Sequence, residues 1–307
     1  MFWIGKNMQT NNFEKLFEEI KLQLKNKSLT IYKAVDRILE SSDEVIPQLQ
    51  SEILNGNKPY YRLFAAWCLG KVDKSQSKDI LEKAYLKEND NNVRANIAWA
   101  YLRQNKTRKN MYTHFLTDRY FLIKLLALKR IGTHHILKPS ISILGFLKEK
   151  EHPLVRIEAI RKSHFFIDDP AVMFEHIKDI LFRSENVLEM EACLKAIGNS
   201  CNVYTLNVLI DFYKKKRSFI NKFQNVAVAF CRAISDNNES AAYEILIEIY
   251  FEKSTSEFVK YCAIEALAVG GGPNSHEALL SIYKKERNNN IRSFVKILKD
   301  RTEITDL

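Results

Sequence analysis

Two tryptophans 32 positions apart, Trp67 and Trp99, each have a cation four residues downstream, Lys71 and Arg103. Further cations stand at related places along the chain: Lys129 with Arg130, Arg161 with Lys162, and Lys195. Indole faces stack on nucleobases or flat side chains, and Lys and Arg pair with phosphates or carboxylates. The chemistry this set suggests is recognition of nucleic acid or of an acidic protein surface.

These residues sit inside a phrase repeated between Arg62 and Arg292. The clear copies read RLFAAWCLG from Arg62, RANIAWAYL from Arg94, KLLALKRIG from Lys124, RIEAIRKSH from Arg156 and KYCAIEALA from Lys260. The first four starts lie 32, 30 and 32 residues apart, and weaker copies begin near Met190, Lys222 and Arg292. A fixed period of this length marks stacked helical units that bury their apolar faces against their neighbours. Counting the basic residue as zero, positions +3, +4, +7 and +8 are mostly small or apolar, and at 100° per residue they share a buried face with position zero. Positions +5 and +9 point the other way. Position +5 supplies Trp67, Trp99, Lys129, Arg161 and Lys195; position +9 supplies Lys71, Arg103 and Arg301, with Arg130 and Lys162 one step round.

A second amphipathic helix is expected before each of these, at 77–87, 138–148, 171–182, 205–214, 241–251 and 276–284. Several end in an aromatic followed by Lys or Glu, as at Tyr85, Phe146, Tyr213 and Tyr283. The lysines suit the negative end of the helix dipole, and the aromatic caps the packing between units. Basic clusters at Arg103–Lys109 and Lys214–Arg217 read as exposed turns.

Composition bounds the classes. The 307 residues carry a formal charge of +10, and 46% are hydrophobic, enough for continuous burial. A basic balance favours acidic partners. Only 9 Gly and 6 Pro argue against a β-rich fold. No apolar run approaches a membrane span, and the N-terminus lacks a cleavable leader pattern. Five cysteines without CxxC pairs read as reduced thiols of a cytoplasmic protein, with no zinc site.

The phrase of a polar turn, an apolar-basic pair and a small-residue helix resembles the HEAT-repeat family, in the short form found in phycobilisome-lyase-like repeats. The resemblance covers Ser42 to Arg301. It is carried by Tyr61–Val72, Asn89–Leu102, Leu154–Ile160 and Val259–Gly270, and is loose at Asn221–Ser235. It implies an all-α fold, a right-handed α-solenoid of about eight stacked antiparallel helix pairs. Residues 1–41 then form an N-terminal helical cap and 42–307 the repeat array. The second helices would line a concave face bearing Trp67, Lys71, Trp99, Arg103, Lys129, Arg130, Arg161, Lys162 and Lys195.

Enzymatic readings find less in the residues. HEAT-like DNA glycosylases hold a catalytic Asp one turn after a Trp; here those places are Lys71 and Arg103, leaving Asp118 and Asp168 as alternative carboxylates. HEAT-like deoxyhypusine hydroxylases bind iron through several His-Glu pairs, and this chain has one, His276-Glu277. Gly270-Gly-Gly-Pro273 lacks the Lys and Ser/Thr of a phosphate loop and reads as a helix stop. His134, His135, His164 and His176 have no nucleophile at a legible spacing. The expectation is a non-enzymatic scaffold that needs no cofactor and binds a protein partner, with nucleic acid as the other candidate. The alternative is a nucleic-acid-processing protein resembling the glycosylases.

Overall fold

The computed structural model describes residues 15–16, 18–23, 25–26, 30–39, 45–72, 75–104, 108–132, 141–200, 203–237, 240–270 and 272–303. Among them the regular structure is helical, with no strand. The chain divides into two compact units, Met1–Ile141 and Ser142–Leu307. The boundary expected after residue 41 falls among residues outside the described set.

In the first unit the helices are α1 (Ile31–Leu39), α2 (Ile46–Asn55), α3 (Pro59–Lys71), α4 (Ser75–Lys87), α5 (Asn91–Arg103), α6 (Lys109–Leu116) and α7 (Phe121–Arg130). Helix pairs α2/α3, α4/α5 and α6/α7 pack internally, and the second helices α1, α3, α5 and α7 pack each on the next. The sequence pattern explains why. Ala65, Ala66 and Leu69 of α3 and Ile97, Ala98 and Tyr101 of α5 are buried, as the +3, +4 and +7 rule requires. Small side chains set the spacing: a Cβ on Gly70 would lie 2.7 Å from Ala100 Cβ, so the two backbones approach closely there.

Helix ends are closed by side chains. Asp90 Oδ1 accepts from the backbone N–H groups of Asn92 (2.8 Å) and Val93 (3.0 Å) at the start of α5. The buried Gln104 amide donates to the carbonyls of Leu69 (2.8 Å) and Val72 (3.2 Å) at the end of α3, adding to the Val72 N–H and Ser77 hydroxyl that also reach them. Replacing Asp90 with Ala is expected to cost about 1 kcal/mol, read as a lower urea midpoint at unchanged slope.

The second unit holds α8 (Pro153–Arg161), α9 (Pro170–Arg183), α10 (Val187–Gly198), α11 (Val203–Lys222), α12 (Gln224–Ser235), α13 (Ser240–Phe251), α14 (Glu257–Gly270), α15 (Gly272–Lys285) and α16 (Asn289–Glu303). Pairs α9/α10, α11/α12, α13/α14 and α15/α16 repeat the hairpin, and α8, α10, α12, α14 and α16 pack in succession. Helix α14 stops at Gly270 and α15 starts at Gly272, as the glycine run suggests.

Two expectations change. The helix expected at 138–148 is not formed by its described part, which is a single 3₁₀ turn at Ile143–Gly145. Ser142 caps that turn by accepting from Leu144 N–H, and the side-chain-free Gly145 favours no helix, so Ile143, Phe146 and Leu147 are buried from a turn instead. The cluster Lys214–Arg217 lies within the helical stretch α11, at a kink that joins two helices rather than in an open turn. That helix bends at Lys216 (φ −120°, ψ 22°). The other basic cluster, Arg103–Lys109, lies between helices as expected: α5 ends at Arg103 and α6 begins at Lys109.

Four of the cysteines, Cys68, Cys193, Cys231 and Cys262, are buried free thiols. Burial pushes the Cys262 thiol up to about 11. Cys201, His134 and His135 lie outside the described residues. Among the described residues no helix is long and apolar enough to cross a membrane.

Candidate partner-binding face

Position zero of the repeat is the part of the pattern with the strongest chemistry. Arg62 makes a two-bond pair with Glu88, Nε to Oε2 at 2.7 Å and Nη2 to Oε1 at 3.0 Å. Arg94 does the same with Asp118, Nε to Oδ2 at 3.0 Å and Nη2 to Oδ1 at 3.1 Å. In the second unit Arg156 pairs with Glu189. Each acid stands 24 to 33 residues downstream, so each bridge ties one repeat to the next.

Aromatics at the helix ends add ties of their own, one of them on the same acid. Tyr85 packs edge-on against Phe115 (centroids 4.7 Å apart) and donates its hydroxyl to Asp118 Oδ2 at 2.6 Å. Tyr213 donates likewise to Glu252, and Tyr250 to Glu286. Burial raises the Asp118 carboxyl, but Arg94, Tyr85 and the Tyr120 N–H outweigh it, and its pKa falls below the ordinary value. Asp118 therefore has all its close acceptor positions occupied, with 8% of its side chain exposed. Asp168 accepts from the Ser142 hydroxyl (2.5 Å) and Ile143 N–H (2.7 Å), holding the 3₁₀ turn. Both carboxylates considered for catalysis are fasteners of the fold. In the sequence these bridges show only as an Arg-to-acid spacing of roughly one repeat.

On the opposite side of the second helices the first unit brings three expected residues together. The Trp67 and Trp99 rings lie 5.5 Å apart, tilted by 36°, and the Arg103 guanidinium sits 4.7 Å from the Trp99 ring centre. Trp67 Nε1 donates to Asn96 Oδ1 (2.8 Å), and Asn96 donates to the Asn92 carbonyl (2.8 Å), so the pair is oriented from below. Both indoles are partly exposed and Arg103 is exposed. Lys71 turns away from the indoles to pair with Asp36 of α1 at 2.6 Å. Lys129 is exposed at the end of α7, with Arg130 partly buried beside it.

The cations of the second unit share their charge with carboxylates of their own helices. Arg161 lies 3.7 Å from Glu158, and Lys195 lies 2.6 Å from Glu191. Lys162 is partly buried, its ammonium 5.8 Å from the Phe165 ring centre. Arg108, from the first basic cluster, bridges Asp79 (2.5 Å) and Glu82 (2.8 Å).

Packing also corrects the register of the loose copy near Lys222. Gly70 and Ala100 meet as position +8 of one second helix against +6 of the next. Gly198 meets Ala233 in the same way, which sets zero of that copy at Ala227. Position +5 is then Arg232, exposed on α12, followed by Glu265 on α14 and Ile297 on α16. No basic residue marks Ala227, so counting from a Lys or Arg missed it.

No family model matches this chain, and no curated protein sequence matches it significantly. Among solved structures, human deoxyhypusine hydroxylase in complex with glycerol is similar, with 11% identity, a TM-score of 0.36, and 98% of this chain and 99% of that one covered. Likeness at that level identifies neither family nor activity. Among the described residues no three His, Cys, Asp or Glu side chains gather as metal ligands would.

Proposed function

We propose that the chain is a non-catalytic HEAT-like scaffold that holds an acidic segment of another protein against the outer faces of its second helices. The observation that carries this reading is the indole pair Trp67–Trp99 with Arg103 upon it, kept partly exposed and held from below by Asn96. A rigid aromatic pair beside a guanidinium is a typical anchor for a protein partner. The cations of each unit, taken separately, favour protein over nucleic acid. Lys71, Arg161 and Lys195 each have a carboxylate within 4 Å, and phosphate tracking draws its affinity from uncompensated charges. The nucleic-acid reading draws on the same indoles, which could stack bases, but finds no carboxylate at Asp118 or Asp168 free to act.

The test is a set of titrations of the full chain with polyglutamate, single-stranded DNA and duplex DNA over a range of salt. Polyglutamate binding is expected to fall about tenfold or more in Trp67→Ala/Trp99→Ala, with helicity retained, as for the loss of a hot-spot anchor. Tighter binding to DNA than to polyglutamate, with a steep salt slope, would overturn the assignment.

A further inference from the structure

Between α12 and α14 the outer face carries a slot lined by Val228, Arg232, Cys262, Glu265, Ala266 and Val269. Its volume is about 80 Å³. That exceeds the share of one water, about 30 Å³, and falls below the several hundred Å³ of a small-molecule site, so it fits one aliphatic side chain. The floor is small, from Ser235, Cys262 and Ala266, and the Ser235 hydroxyl is spent on the Ala266 carbonyl (2.7 Å). The apolar part of the rim is in solvent: Val228 is 45% exposed and Val269 62%.

Charges flank this slot with opposite signs. Arg232 stands on the α12 wall and Glu265 on the α14 wall, both exposed. Among the described residues neither has an ion-pair partner, unlike Arg161 and Lys195 in the same row. A cation and an anion facing each other without meeting, over an apolar slot, complement a ligand with an acid, an aliphatic group and a base in that order. On a helix, residues three or four positions before and after an apolar anchor share its face.

We propose that this slot binds an amphipathic helix of a partner protein, its aliphatic anchor between Val228 and Val269, an acidic side chain on Arg232 and a basic one on Glu265. This rests on the scaffold reading and adds a separate contact in the second unit, with the secondary structure and direction of the segment bound there. The formal charge of +10 steers a net acidic segment toward the chain, and the opposed pair orients it on arrival.

The probes are two helical peptides in an Ala-rich background, one with Glu, Leu and Lys at successive four-residue spacings and one with Glu and Lys exchanged. The full chain is expected to bind the first about tenfold more tightly, as two partly exposed ion pairs allow. The double exchange Arg232→Glu/Glu265→Arg is expected to invert that preference, and Val269→Glu to abolish binding of both with helicity unchanged. Equal binding of the two peptides, or no binding of either, would overturn the proposal. So would concentration-dependent self-association removed by Val269→Glu, which would assign the slot to a second copy. Trp67→Ala/Trp99→Ala is expected to leave this peptide preference intact, so failure here is distinguishable from failure of the polyglutamate test.

Discussion

Asp118→Ala is expected to lower the stability of the first unit by about 3–5 kcal/mol, the cost of removing one partner from a buried ion pair. The acid receives two bonds from Arg94, one from Tyr85 and one from the Tyr120 backbone. Its loss leaves the Tyr85 hydroxyl without its short bond and the guanidinium without its counter-charge, with only the Glu88 carbonyl and Asn91 Oδ1 to accept from it. Urea unfolding followed by tryptophan fluorescence reads this unit directly, because Trp67 and Trp99 belong to it and residues 142–307 hold no tryptophan. Arg108→Ala supplies the contrast. Its bridges to Asp79 and Glu82 are about half exposed, and its loss is expected to cost under about 1 kcal/mol. An Asp118→Ala protein as stable as wild type would remove the bridge from any account of how the repeats hold together.

The same bridge has a pH signature. The folded pKa of Asp118 lies below its unfolded value, so its contribution is complete above the ordinary carboxyl range, near pH 4, and is lost as pH falls through the folded value. Glu88, lowered against its burial by Arg62, follows the same rule. The stabilities of wild type and Asp118→Ala are therefore expected to converge only below about pH 4. Parallel curves across that range would contradict the assignment.

Gly198→Val is expected to destabilise the second unit by about 3 kcal/mol, and Gly198→Ala by about 1–2 kcal/mol. A Cβ there would lie 2.8 Å from Ala233 Cα and 2.9 Å from its Cβ. Backbone cannot swing aside as a flexible side chain can, so α10 and α12 must separate along their length. Alanine has the better helix propensity by about 1 kcal/mol, and that gain offsets only part of the clash. Gly145 is the control, since a Cβ built there meets nothing within 4 Å. Gly145→Ala is expected to leave the urea midpoint within a few tenths of a molar, and Ala233→Gly to restore part of the loss caused by Gly198→Ala.

Much of the architecture was legible in the chain because helical burial is a local property. Whether Ala65, Ala98 or Ala159 faces the core follows from its distance along one helix to other apolar residues, and all three are buried. Tyr85, Tyr213 and Tyr250 show the same limit from the other side. An aromatic at a helix end announces contact with the next unit, but which acid receives its hydroxyl depends on how far that unit is displaced. The helix expected around Lys138–Lys148 misled because apolar spacing alone does not weigh a serine cap and a glycine against helix formation.

The candidate face divides along the same line. Arg161 with Glu158 and Lys195 with Glu191 are three- and four-residue pairs on one helix, present in the sequence for any reader of side-chain spacing. By itself the chain determined the repeat, its buried stripe and the helical positions of Trp67 and Trp99. Only tertiary packing decided that those indoles touch, that Lys71 reaches Asp36, that Arg94 is committed to Asp118, and that Arg232 belongs to the outer row. The reason is physical: each of these depends on the offset between neighbouring helices, set by close contacts such as Gly198 on Ala233, which no single helix encodes.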